Sequence, residues 1–224
     1  MTNGKKAGEL GAPALTYISE CNMERRLGRP LDNETNARAT SWGNLCEGYV
    51  LGELLGLEYS AISRQSIMHP KYDFWSGTPD SLCHEEGEKI ITDVKCPFTL
   101  KSFCQLVDNF ELGGMEAVIK AHKDGAKFFY QLVSNAILTG CNYGELVVFA
   151  PYKSELQHLR DMANHDDIGW LTHATDDELP WLPDGGYYKN INKLRFPISE
   201  EVKAALTARI ELAGQSLVVP VLTS

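Results

Sequence analysis

Ile91-Thr92-Asp93-Val94-Lys95 is the stretch on which the fold turns. Ile91, Thr92 and Val94 are β-branched, which favours a strand. On a strand alternate side chains share a face, so Ile91, Asp93 and Lys95 point one way and Thr92 and Val94 the other. A carboxylate and an ammonium on a central strand are costly to bury without a purpose. By itself the pattern also fits an edge strand carrying a solvated ion pair.

Working outward, His84-Glu85-Glu86-Gly87-Glu88 is a polar turn that joins this strand to the one before it as a hairpin. That earlier strand ends in Gly77-Thr78-Pro79-Asp80-Ser81-Leu82. Asp80 and Asp93 lie 93 − 80 = 13 residues apart across the hairpin. Antiparallel neighbours stand about 5 Å apart, so both carboxylates reach one point. Pro79 removes a ladder donor and marks an irregularity, although an Asp after Pro is also a common turn. Upstream, Ser41 to Leu57 has helical spacing with Ser41 as N-cap. Val50, Leu51, Leu54 and Leu55 follow Glu47 at the intervals of one helical face, which places Glu47 on the buried side. A buried acid there needs a partner, either a cation in a cleft or a salt bridge. Downstream, Lys127 to Thr139 is a helix stopped by Gly140. It carries Gln131, Ser134 and Asn135 on a polar stripe that serves either a site or the solvent.

The remaining elements fill in an α/β fold. Residues 13–28 read as a short helix and 31–40 as a polar loop. Strand-like stretches lie near 60–68, 72–82 and 88–95, and residues 98–127 form a partly helical excursion around Gly113-Gly114. Glu145 to Ala150 suits a buried strand, and Ser199 caps a last helix to about Ala213. The order predicts a mixed central sheet flanked by helices, in a single domain over 1–224 with its core at about 41–150.

Composition narrows the function. The net charge of −9 speaks against coating nucleic acid by bulk charge. A carboxylate cluster with locally gathered bases remains open: Arg25, Arg26, Arg29 and Arg38 form one group, and Lys120, Lys123 and Lys127 another. The six cysteines show no CxxC spacing, so a zinc site and disulfides are not expected. No apolar run is long enough to span a membrane, and Met1 to Gly11 has none of the character of a signal peptide. The expectation is a cytoplasmic protein. Asp93, Lys95, Asp80 and Glu47 together fit hydrolysis of a phosphodiester, in which carboxylates hold a divalent metal and the lysine orients or deprotonates a water.

The order of these residues is that of a PD-(D/E)XK nuclease, with a restriction-endonuclease-like αβββαβ core. More narrowly, the chain resembles the lambda exonuclease and YqaJ-like viral recombinase family. The resemblance rests on Trp42-Gly43 leading to Glu47, on Thr78-Pro79-Asp80-Ser81-Leu82 and on Asp93-Val94-Lys95-Cys96-Pro97-Phe98-Thr99. It continues through Leu112-Gly113-Gly114-Met115-Glu116-Ala117 and Tyr130-Gln131, and so covers 41 to about 150. It implies a two-metal Mg²⁺ mechanism, with Mn²⁺ as substitute. Asp80, Asp93 and the Val94 carbonyl would hold one ion, and Glu47 with Asp80 would assist a second. Lys95 would position the water and Gln131 would support the site. It further implies digestion of one strand of linear duplex DNA from a 5′ end, a homotrimer, and delivery of the 3′ overhang to a phage single-strand annealing protein.

The chain departs from that family in having Asp93 where lambda exonuclease has Glu, in an insertion between Phe98 and Tyr130, and in unmatched ends. Some superfamily members hold an iron–sulfur cluster through flanking cysteines. Only Cys141 follows Gln131 here, so no such cluster is expected. A structure-specific or restriction-type endonuclease on the same core is the alternative enzyme, and an inactive DNA-binding module the alternative of another kind. Arg25 and Arg38 are the candidates for gripping a terminal 5′-phosphate, because guanidinium groups bind phosphate in bidentate fashion.

Overall fold

The computed structural model describes residues 9–31, 37–61 and 66–218. Residues 32–36 of the expected 31–40 loop and 62–65 of the 60–68 stretch lie outside the described residues, and 37–40 are helical, not loop. The elements run α1 (Ala12–Leu27), α2 (Ala37–Tyr49), β1 (Tyr59–Ala61), β2 (Ile67–Met68), β3 (Ser76–Gly77), β4 (Ser81–Glu85) and β5 (Glu88–Lys95). They continue with α3 (Leu100–Ala121), α4 (Gly125–Thr139), β6 (Tyr143–Phe149), α5 (Leu156–His165), α6 (Gly169–Thr172), β7 (Ile191–Pro197) and α7 (Glu200–Gly214). Two compact units result. One comprises residues 36–68 and 76–198, and the other 1–35, 69–75 and 199–224.

The larger unit is a mixed five-stranded sheet in the order β1-β4-β5-β6-β7. The hairpin β4–β5 forms as the sequence predicts, with Ser81 opposite Thr92 and Glu85 opposite Glu88. Its turn residues Glu86 and Gly87 both have positive φ, 52° and 87°. Such a two-residue turn matches the strand twist, and Gly at its second position relieves the strain. From β5 the chain crosses through α3 and α4 and returns as β6, parallel to β5 with Asp93 opposite Leu146. β7 then pairs antiparallel with β6. This places β5 in the centre of the sheet rather than at an edge.

Each face carries helices. Val94, Val147 and Phe149 pack against Trp42, Leu45 and Val50 from the α2 segment and Leu156 and Leu159 of α5. The other face is covered by α3 and α4. α3 spans most of the expected irregular excursion, but Gly113 and Gly114 break its helical geometry, with φ of +63° at Gly114.

Two expectations need correction. The segment 60–82 does not make two long strands. Only Ser81–Glu85 pairs with β5, while β2 and β3 form a separate two-stranded ribbon. Between them, His69, Tyr72 and Trp75 stack on one another, with ring centroids 4.6–6.4 Å apart. The alternation of apolar residues there reflects aromatic stacking, not a pleated strand. The second correction concerns the Glu47 helix. It begins at Ala37, not at Ser41, whose hydroxyl instead accepts the Trp170 indole N–H at 2.9 Å. After Tyr49 it passes into a π-helical turn over Val50–Leu54, closed by Leu55 N–H to the Val50 carbonyl at 2.9 Å. That wider turn shifts every later residue around the axis. The buried stripe is Trp42, Leu45, Cys46, Tyr49 and Val50, and Glu47 lies at its margin, half-buried.

In the smaller unit Phe74 lies over Gly214 of α7, where any Cβ would meet the ring. Tyr72 donates to Glu211, and Asn22 of α1 bonds both the Ser216 carbonyl and Val218 N–H. Ser199 caps α7 as expected, accepting from Val202 N–H. Among the described residues, no helix is long and apolar enough to cross a membrane.

Candidate active site

Asp93 is the centre of the site. It projects from the middle strand toward α4 and is fully buried. Its Oδ1 accepts a hydrogen bond from Gln131 Nε2 at 2.8 Å, and its Oδ2 lies 2.6 Å from Lys95 Nζ. Apart from that ammonium, Oδ2 has no hydrogen-bond donor among the described residues. The period-two spacing therefore does what the sequence predicts: carboxylate and ammonium emerge on one face and meet.

Asp80 sits where β4 is about to begin, one step beyond the Ser81–Thr92 pair and so opposite Asp93. Because the β4 ladder stops at Ser81, the Val94 N–H has no strand partner on that side. Asp80 Oδ2 takes it at 2.6 Å. A strand residue's N–H and C=O point to the same edge, so the Val94 carbonyl opens toward Asp80 as well.

Glu47 and Lys95 line a shared cleft of about 550 Å³, together with Asn44, Val94, Phe98 and Phe128. The Lys95 ammonium stands 5.4 Å from the Phe128 ring centroid. Its side chain is only 23% exposed.

Electrostatics tie the four residues together. Burial, reinforced by the negative charges of Asp80 and Glu47 and opposed by Lys95, pushes Asp93 up to about 7. Burial also raises Asp80, against the pull of the Val94 N–H and Lys95. Burial would lower Lys95, but Asp93, Asp80 and Glu47 overcome it and hold the ammonium above its ordinary range. Among the described residues the two aspartates face one lysine, and that imbalance is what a divalent ion would relieve. Asp80, Asp93 and the Val94 carbonyl form an all-oxygen set of the kind Mg²⁺ takes while keeping several waters. Among the described residues no three His, Cys, Asp or Glu side chains are gathered closely enough to cage a metal unaided, so Glu47 stands apart from the two aspartates.

The other sequence candidates divide. Gln131 is at the site. Asn135, one turn on, is buried against Gly77 rather than facing solvent or the cleft. Arg38 is exposed on the helix that carries Glu47, 5.3 Å over the Trp170 ring. Arg25 belongs to the smaller unit and donates to the Val218 carbonyl at 2.8 Å. The cleft also contains residues the sequence did not single out: Asn44, Ser102 and Asp124. Asn44 stands one turn before Glu47, a spacing that could have found it. Ser102 carries no sequence signal of this kind.

No family model matches the chain, and no curated protein does. Solved structures do. A phage-related exonuclease from Haemophilus somnus aligns with a TM-score of 0.63 and 16% identity, over 95% of this chain and 84% of that one. An alkaline exonuclease from Laribacter hongkongensis aligns with a TM-score of 0.50 and 16% identity, over 93% of this chain and 79% of the other. The chain has the fold of these exonucleases, the mixed sheet flanked by helices that the order of its elements predicts.

Proposed function

We propose that this protein is a divalent-metal-dependent exonuclease that digests one strand of linear duplex DNA from its 5′ end. The observation that carries the reading is Asp93 pinned on a central strand between Gln131 and Lys95, with Asp80 opposite it, beside an open cleft. The two solved exonucleases of the same fold support it.

Asp80, Asp93 and the Val94 carbonyl would hold Mg²⁺ or Mn²⁺, and Glu47 with Asp80 would assist a second ion. When bound, such ions supply charge for the attacking and leaving oxygens of an in-line displacement. The chain's own groups do the rest. Gln131 fixes the Asp93 carboxylate by occupying Oδ1. Lys95 keeps its proton among the acids, so it orients the attacking water by donating to it and screens the phosphate's negative charge. Arg38, in the same turn as the cleft residues Ala39 and Thr40, would meet a terminal phosphate. For Arg25 that role competes with its bond to Val218. The resemblance noted above extends the proposal to a homotrimer that passes its 3′ overhang to an annealing protein in the host cytoplasm.

The test is the order of label release from duplexes labelled at one 5′ or one 3′ end. The proposal expects 5′ label first, as mononucleotide. Early release of the 3′ label would reverse the polarity, and internal fragments would favour an endonuclease.

A further inference from the structure

Behind the wall of the cleft lies a pair that the site as described does not use. Ser102, in the first turn of α3, lines the cleft with Lys123. His122, at the far end of the same helix, is buried, and its Nε2 is 2.8 Å from Ser102 Oγ. The backbone N–H of Asp124 donates to His122 Nδ1 at 3.2 Å. A nitrogen that accepts bears no proton, so the neutral ring carries its proton on Nε2 and donates it to Ser102 Oγ. Burial holds the imidazole below its ordinary range, in keeping with a neutral ring. The ring also packs on Phe128, the aromatic beneath Lys95, at 5.8 Å between centroids.

The consequence is directional. The serine oxygen is engaged as an acceptor by a fixed donor. Its own proton is then left to serve an acceptor in the cleft. Phosphate oxygens only accept, so a hydroxyl whose proton is left to point into the cleft is matched to a DNA backbone phosphate. Lys123 stands at the same wall, where Asp124 pairs with it at 3.8 Å, so the contact rests on the hydroxyl and not on a free charge.

We propose that Ser102 donates a hydrogen bond to a non-bridging oxygen of a backbone phosphate flanking the one cleaved, and that His122 is the positioning residue that aims the hydroxyl. The proposal rests on the nuclease reading above. It concerns how the strand is held in the cleft, not how the bond is broken.

The experiment compares wild type, Ser102→Ala, His122→Gln and His122→Leu in single-turnover digestion of linear duplex. The substrates are unmodified DNA and DNA with one methylphosphonate, scanned across the phosphates flanking the scissile bond. Losing one hydrogen bond to a charged acceptor should slow Ser102→Ala by about tenfold or more. At one position the neutral linkage should slow wild type by a similar factor and Ser102→Ala no further, because the same contact is already gone. His122→Gln keeps an N–H donor and should stay near wild type, while His122→Leu should fall with Ser102→Ala. Penalties that multiply at every position, or Ser102→Ala at the wild-type rate, would overturn the proposal. Equal losses in both histidine variants would remove the positioning role. If wild type itself cuts no DNA, the nuclease reading fails and the phosphate contact falls with it. If wild type cuts and Ser102→Ala is unaffected, only the phosphate contact is lost.

Discussion

Asp93 carries opposite demands for stability and for function. Its carboxyl is raised from an ordinary 3.8 to about 7 in the folded chain, first by burial and then by its acidic neighbours. Between those values the folded state binds more protons than the unfolded one. Stability without metal therefore falls as the pH rises through that window, and is highest on its acid side. Asp93→Asn removes the titrating group. Metal-free wild type should lose melting temperature between about pH 4 and pH 7 more steeply than the variant does. Near-parallel curves would show that Asp93 is not the buried acid described here. The same substitution should abolish cleavage. Gln131→Ala leaves the ligands in place but frees Asp93 to turn, so it should reduce the rate by about tenfold to a hundredfold without unfolding the chain. Full activity in that variant, measured by single-turnover digestion, would deny Gln131 its supporting role.

At the scale of elements, the close fit between β3 and α4 makes a prediction of its own. A Cβ added at Gly77 would lie 2.3 Å from Asn135 Oδ1 and 2.9 Å from Leu138 Cδ1. Gly77→Ala should destabilise the protein by about 1–3 kcal/mol, as overpacking does. Asn135→Ala in the same chain should return part of that loss, since the two side chains contend for one space. Denaturant melts of the two single variants and the double measure it, and strictly additive effects would contradict the fit.

Elements also show what was legible in the sequence. The hairpin, the shared face of Asp93 and Lys95 and the cap at Ser199 could be read because each is set by neighbours within a few residues. The side of α2 that holds Glu47 could not. An unbroken α-helical period past Tyr49 puts Leu51, Leu54 and Leu55 deep in the core, whereas the π turn at Val50–Leu54 leaves them partly buried at its margin. The strand expected near 72–82 fails at its start for a related reason, since the aromatic stacking of Tyr72 and Trp75 and strand pairing leave similar alternation. The Ser102–His122 bond joins residues at opposite ends of α3, beyond the reach of any local pattern.

At the scale of the molecule, a net charge of −9 has to be squared with a cleft proposed to take a polyanion. Local charge answers this: Lys95 faces the cleft, Arg38 stands on the same helix as Glu47, and bound cations would offset the carboxylates. If Arg38 meets the terminal phosphate, wild type should digest 5′-phosphorylated duplex faster than 5′-hydroxyl duplex, and Arg38→Ala should level the two rates. A preference that survives in Arg38→Ala assigns the contact elsewhere. The central claim is metal-dependent digestion from DNA ends by the Asp93 site. It is tested most directly by offering linear and covalently closed circular duplex of one sequence to wild type and Asp93→Asn, in Mg²⁺ and in excess EDTA. The account predicts loss of the linear DNA alone, with wild type alone, in Mg²⁺ alone. Cleavage of the closed circle, digestion that persists in EDTA, or an active Asp93→Asn chain would contradict it.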